Sequence, residues 1–304
     1  MVFRISFGSH LRAQDVARLR SYVHDSNHHI LEASLRSTLV SDHYETYASF
    51  DAKHRNNLKR KFHDFLSPWR PLANLAEQGK LHREPMDDLF RNNVMAARLL
   101  LLSEENEDRL AHGAASIQIH FEPFSDENLI GVVRIGALEN NLQWALKSGH
   151  YDKFIDYARR MLKEKKKHYA TRNRDILALA EDLHALGSTC VSADLGSIHA
   201  HDFSALARAA SIPIEIDKED VVLNPVEQLI DHVAAGKNPE RIPEEKIARG
   251  FVYGLVLRIF SNDYSATVHF LQHRSASDVK SLFKSIRDRP GHFYDVALAW
   301  VRSF

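Results

Sequence analysis

"RNRDILALAEDLHALGSTCVSADLGSIHAHDFSALARAASIPIEI", residues 172–216, alternates two apolar-periodic stretches with two short runs of small and β-branched residues. Residues 172–187 read as a helix, "STCVSAD" (188–194) as a strand, "DFSALARAA" (202–210) as a second helix and "IPIEI" (212–216) as a second strand. That order is the signature of an α/β layer built on parallel strands. The rest of the chain is read by asking what joins this layer.

Upstream, "VFRISF" (2–7) alternates apolar and polar residues and supplies a strand. Helical spacing follows: Val16, Leu19 and Val23 mark one face, and Ile30, Leu31, Leu35 and Leu39 the next, after a break at Asp25-Ser26-Asn27. A third pattern runs through Leu58, Phe62, Phe65 and Leu66, and Pro85 opens a fourth containing "NNVMAARLLLL". "SIQIHF" (116–121) and "IGVVRIG" (130–136), joined by "EPFSDEN", read as a pair of strands. Residues 139–167 read as a helical hairpin with Gly149 capping its first helix. Beyond residue 221, apolar residues recur at helical spacing over 225–235, 243–261, 264–273, 277–288 and 292–302. The expected fold is mixed α and β and predominantly α-helical: a small sheet, surrounding helices and a helical C-terminal bundle. The expected segments are 1–137, 138–220 and 221–304, packed separately or as one compact domain.

Of the 304 residues, 44% are hydrophobic and 26% charged, which suits a folded globular chain rather than a disordered one. The 40 Lys+Arg balance the 40 Asp+Glu, so an anionic partner would need a local basic patch. Cys190 is the only cysteine, which excludes an internal disulfide framework and a cysteine-built zinc site. "MVFRISFGSH" lacks the apolar core of a signal peptide, and no apolar run approaches the ~18 residues of a membrane span. A cytoplasmic protein without membrane partners is expected. Histidine is over-used, 19 against 12 glycines, which draws attention to metal and proton chemistry.

Four constellations carry such chemistry. "RDRPGHFY" (287–294) places Arg287 five residues before His292 in the helical C-terminal region. This resembles the R-x4-6-H motif of HEPN-type ribonucleases. The resemblance implies a metal-independent RNase in which Arg287 stabilises phosphate charge and His292 transfers a proton, usually at a dimer face. The same stretch also reads as punctuation, Pro290 and Gly291 ending one helix before another begins.

"ADLGSIHAHDF" (193–203) sets Asp194 at a strand end with His199, His201 and Asp202 just after it. Two imidazoles and two carboxylates suit zinc, iron or manganese with an open position for water, and loosely resemble the His-x-His of metal hydrolases. Asp202 alternatively serves as a helix N-cap. "YVHDSNHHILEASL" (22–35) puts His24, His28 and Glu32 on one face if its helix is unbroken; with His63-Asp64 it resembles HD-type phosphohydrolases. Turn chemistry at Asp25-Ser26-Asn27 argues for a break.

Two basic runs complete the set: Lys163, Lys165, Lys166, Lys167, Arg172 and Arg174 around Tyr169, and Arg55, Lys59, Arg60 and Lys61. They could neutralise phosphates while Tyr169 stacks a base, or simply form solvated helix ends. "ALAEDLHALGSTCVSADL" (178–195) looks like the second half of a short-chain dehydrogenase unit. No glycine-rich turn precedes it, so a nicotinamide cofactor is not expected. Three functions remain: binding or processing of RNA or DNA with Arg287 and His292 at the centre; partner binding or homodimeric scaffolding without catalysis; and hydrolysis at a divalent metal held by Asp194, His199, His201 and Asp202.

Overall fold

The computed structural model describes residues 2–8, 23–32, 104–123, 125–196, 210–218, 223–261 and 263–304, together with residues 102, 199, 203, 206 and 208. It is mostly helical and holds a small parallel sheet, as the alternation over 172–216 predicts. Among the described residues the sheet has five strands: β1 (Val2–Gly8), β2 (His28–Leu31), β3 (Gln118–Phe121), β4 (Cys190–Gly196) and β5 (Ile214–Lys218). Their order is β3-β2-β4-β1-β5, and every pairing is parallel.

The sequence explains why β4 lies in the middle. "CVSADLG" presents only small or apolar groups until Asp194, and all its residues but the last are buried, as a strand covered on both faces requires. Phe3 and Ile5 of β1 and Ile30 of β2 are fully buried beside Val191, Ala193 and Leu195. A helix covers them with Ile176, Leu177, Ala180 and Leu183, spaced to share one face. Each of the larger ones, Phe, Ile, Leu or Val, stabilises the fold by about 1.5–3 kcal/mol on burial.

Asp25-Ser26-Asn27 does break the chain, but a strand follows it and not a helix. Asn27 Oδ1 accepts from the amides of Thr189 and Cys190 and from the Thr189 hydroxyl. The Arg109 guanidinium donates to the carbonyls of Val23 and Ser26. The turn is thereby tied to the start of β4, and His28 enters the sheet opposite Val191.

Two further corrections concern helices. "IGVVRIG" is not a strand; it lies inside α1 (Asp126–Lys147), whose first turn is secured by the Ser125 hydroxyl accepting from the Asn128 amide. Asp126 and Glu127 add favourable charge at that end, so local capping overrides the β-branched composition. The basic run does not end a helix either. α2 (Tyr151–Ala185) is continuous for 35 residues, with Thr171 buried where a break between 167 and 172 was expected. The later helices fall where helical spacing puts them: α3 (Pro225–Ala234), α4 (Glu244–Ile259), α5 (Tyr264–Gln272), α6 (Ala276–Asp288) and α7 (Phe293–Arg302).

The chain forms two compact units: Met1–Pro123 with Arg174–Val221, and Phe124–Asn173 with Val222–Phe304. Each is assembled from two separate stretches, a division that differs from consecutive segments at 1–137, 138–220 and 221–304. The first unit holds the sheet and the second the bundle. Among the described residues no helix is long and apolar enough to cross a membrane.

Candidate functional site

In open parallel sheets, ligands sit beyond the carboxyl ends of the strands, where loops meet and backbone groups remain unpaired. At that edge Leu31, the last residue of β2, is in register with Asp194 of β4, so Glu32 emerges beside the end of β4. The Gly196 amide donates to Glu32 Oε2 at 2.5 Å, and His199 Nε2 lies 3.5 Å from Glu32 Oε1. The His199 side chain is only 1% exposed, whereas that of Glu32 is 21% exposed. One carboxylate thus accepts from an amide, has a buried imidazole 3.5 Å away and still reaches solvent. Asp194 is buried one residue pair back, beside Ser6 of β1. A fixed, half-buried carboxylate is suited to taking a proton from water, and a neighbouring imidazole can fix its orientation.

Three more histidines lie on the strands. His29 Nδ1 pairs with the Ser192 hydroxyl at 2.9 Å in the buried sheet, and His28 Nδ1 lies 2.8 Å from His120 Nε2 across β2 and β3. Burial pushes the pKa of both His28 and His120 down, and for His120 the charge of His28 adds to the effect. Both rings are held toward the neutral form.

The structure places the expected site residues as follows. Asp194 and His199 are at the sheet edge; His201 and Asp202 lie outside the described residues. Among the described residues no three His, Cys, Asp or Glu side chains converge as a metal site. His24 is helical and His28 is in β2, so His24, His28 and Glu32 do not share a helix face; His63 and Asp64 lie outside the described residues. Arg287 is in the last turn of α6, Gly291 adopts a φ of +88°, and His292 is the N-cap residue of α7. A helix break therefore separates the two. Arg287 lines a cavity, while His292 faces Asp295 at 3.7 Å.

Three lysines of the basic run in α2 have carboxylates opposite them: Lys163 with Glu240 at 2.5 Å, Lys165 with Glu139 at 3.3 Å and Lys167 with Glu127 at 3.8 Å. Arg172 lies over the Tyr169 ring at 5.6 Å, and Lys166 and Arg174 belong to the same helix. A phosphate arriving there has to displace ion pairs, each of which contributes ~1 kcal/mol or less at a surface. Arg55, Lys59, Arg60 and Lys61 lie outside the described residues.

No protein-family model, curated protein or solved structure matches the chain. Geometry must therefore carry the functional reading. The partnership of Glu32 with His199 escaped the sequence because 166 residues separate them. The signal was present in halves: a carboxylate closing one strand and a histidine three residues after another.

Proposed function

We propose that the carboxyl edge of the sheet is a hydrolytic centre in which Glu32 acts as general base toward water. The Gly196 amide holds the carboxylate in place, and the buried His199 ring lies beside it. The supporting observation is the Glu32–His199 approach at 3.5 Å, made by one member of the pair that reaches solvent and one that does not. The hydrolase reading of the sequence rests on a divalent metal held by Asp194, His199, His201 and Asp202; here the group that activates water is Glu32 instead.

A positioned acid–base group contributes roughly 10²–10⁴-fold to rate. Turnover of p-nitrophenyl acetate, p-nitrophenyl phosphate and bis-p-nitrophenyl phosphate, measured with EDTA and with added zinc or manganese, tests the reading. Glu32→Gln is expected to lower kcat/KM by about 100-fold or more on the ester that turns over. Turnover of none of the three, or an undiminished Glu32→Gln variant, would overturn it.

A further inference from the structure

In the second unit, a cavity of about 360 Å³ opens where the turn between α1 and α2 meets α6. Lys280, Lys284 and Arg287 fall at i, i+4 and i+7 on α6 and line one wall. The other wall carries His150, Asp152 and Lys153 at the start of α2.

The two walls are fixed against each other. Gly149 has φ +70°, and a Cβ there would meet the Phe283 carbonyl oxygen at 2.4 Å and Arg287 Cβ at 2.7 Å. Tyr151 and Phe154 pack on Phe283 with ring centroids 5.3 and 4.8 Å apart.

Charge does not cancel inside this cavity. Lys280 is paired with Glu244 at 3.0 Å. Lys153, Lys284 and Arg287 face no carboxylate within ion-pair distance among the described residues, and Asp152 is the only acid in the wall. Gathering three such cations costs free energy through mutual repulsion, which a bound anion relieves. The first hydrogen bond at this end of α2 runs from the Phe154 amide to the His150 carbonyl. The amides of Tyr151, Asp152 and Lys153 come before it, at the end of α2 where the helix dipole is positive.

An aromatic surface adjoins the charges. Trp144 is 45% exposed, its ring lies 5.2 Å from that of His150 at 31°, and Lys153 sits 5.0 Å from its centre. Clustered cations beside a flat exposed ring are the pairing that binds a phosphate together with a base.

We propose that this cavity binds a nucleotide phosphate, with Lys153, Lys284 and Arg287 neutralising it and the Trp144–His150 surface receiving the base. The site belongs to the other unit from Glu32 and does not depend on the hydrolytic reading. It gives Arg287 a binding role in place of pairing with His292. The phosphate could belong to a free nucleotide or to a single strand, and the test separates these.

Binding of a 5′-fluorescein 12-mer of oligouridylate to the full chain is measured by anisotropy at 50 and 200 mM NaCl, with UMP and inorganic phosphate as competitors. The double variant Lys284→Ala/Arg287→Ala retains the Cβ that packs on Gly149, so the wall survives. It is expected to bind at least ~10-fold more weakly and to flatten the log–log salt slope by about 0.7 for each phosphate no longer neutralised. Trp144→Ala should weaken binding ~10-fold by removing the stacking face. Lys167→Ala, already paired with Glu127, should stay within about twofold of the parent. Displacement by UMP assigns a free nucleotide; displacement only by unlabelled strand assigns single-stranded RNA. The proposal is overturned by no binding at 50 mM NaCl, by parental affinity in the double variant, or by inorganic phosphate competing as well as UMP while Trp144→Ala has no effect.

Discussion

Glu32 has three things a reactive carboxylate needs: a rigid amide donor, a neighbouring imidazole and a path to solvent. The other notable side chains of the sheet are kept neutral instead. His28 and His120 share a hydrogen bond in which one ring must offer a bare nitrogen, and burial lowers both pKa values. A lowered folded-state pKa means the unfolded chain takes up more protons below its own value near 6.5. The contribution to stability is therefore full above that pH and is lost as pH falls toward the folded-state values. Thermal melts at pH 7.5 and 5.5 should show the midpoint dropping on acidification, and His120→Gln should make the slope shallower; a steeper slope in the variant contradicts the assignment. Gly149 offers a second test at this scale. Gly149→Ala combines a left-handed backbone with a collision against the Phe283 carbonyl, and a loss of at least ~1–2 kcal/mol is expected in urea titrations.

Helix ends are where the elements declare themselves. α3 carries a reciprocal cap between Asn224 and Glu227, and α6 one between Ser275 and Asp278, each readable as a Ser/Asn followed three residues later by an acid. Ser275→Ala should cost about 1 kcal/mol by chemical denaturation, because the Asp278 amide loses its acceptor. The same logic shows why other elements are harder to read. Ser125 with Asp126 and Glu127 marks a helix start as clearly as Ser275 does, yet Ile130, Val132 and Val133 pull composition toward strand. His28–Leu31 is hidden in the opposite way: four residues are too short to show alternation, and Leu35 and Leu39 continue a helical spacing beyond it. Thr171 and Asn173 are weak helix formers and suggest a division of α2, but no glycine or proline interrupts it between Tyr151 and Ala185. For the site, Asp194, His199 and Glu32 are each legible as reactive residues. Which of them meet depends on strand register, and register between parallel strands is set by packing that a single sequence does not display.

On the scale of the whole molecule, the sheet is completed out of order. Among the described residues β1 pairs with β4 and β5 alone, so no described strand before β4 holds it. A chain cut after residue 185 contains β1, β2, β3 and α2, yet lacks the central strand that joins β1 to β2. Such a fragment should show no cooperative unfolding of a sheet by circular dichroism and no slowly exchanging amides in residues 2–8. Protected amides there would mean that β1 finds another partner.

The placement of β4 also governs how the protein is made. Val2 is synthesised 188 residues before Cys190, its neighbour in the sheet, and waits for it. At 5–20 residues per second that wait lasts roughly 10 to 40 s. Throughout it, Phe3, Ile5 and Ile30 have no completed core to enter, although all three end fully buried. Nascent chains in which β4 has not yet been made are thus the form of this protein most exposed to aggregation, and the form that chaperones would be expected to hold.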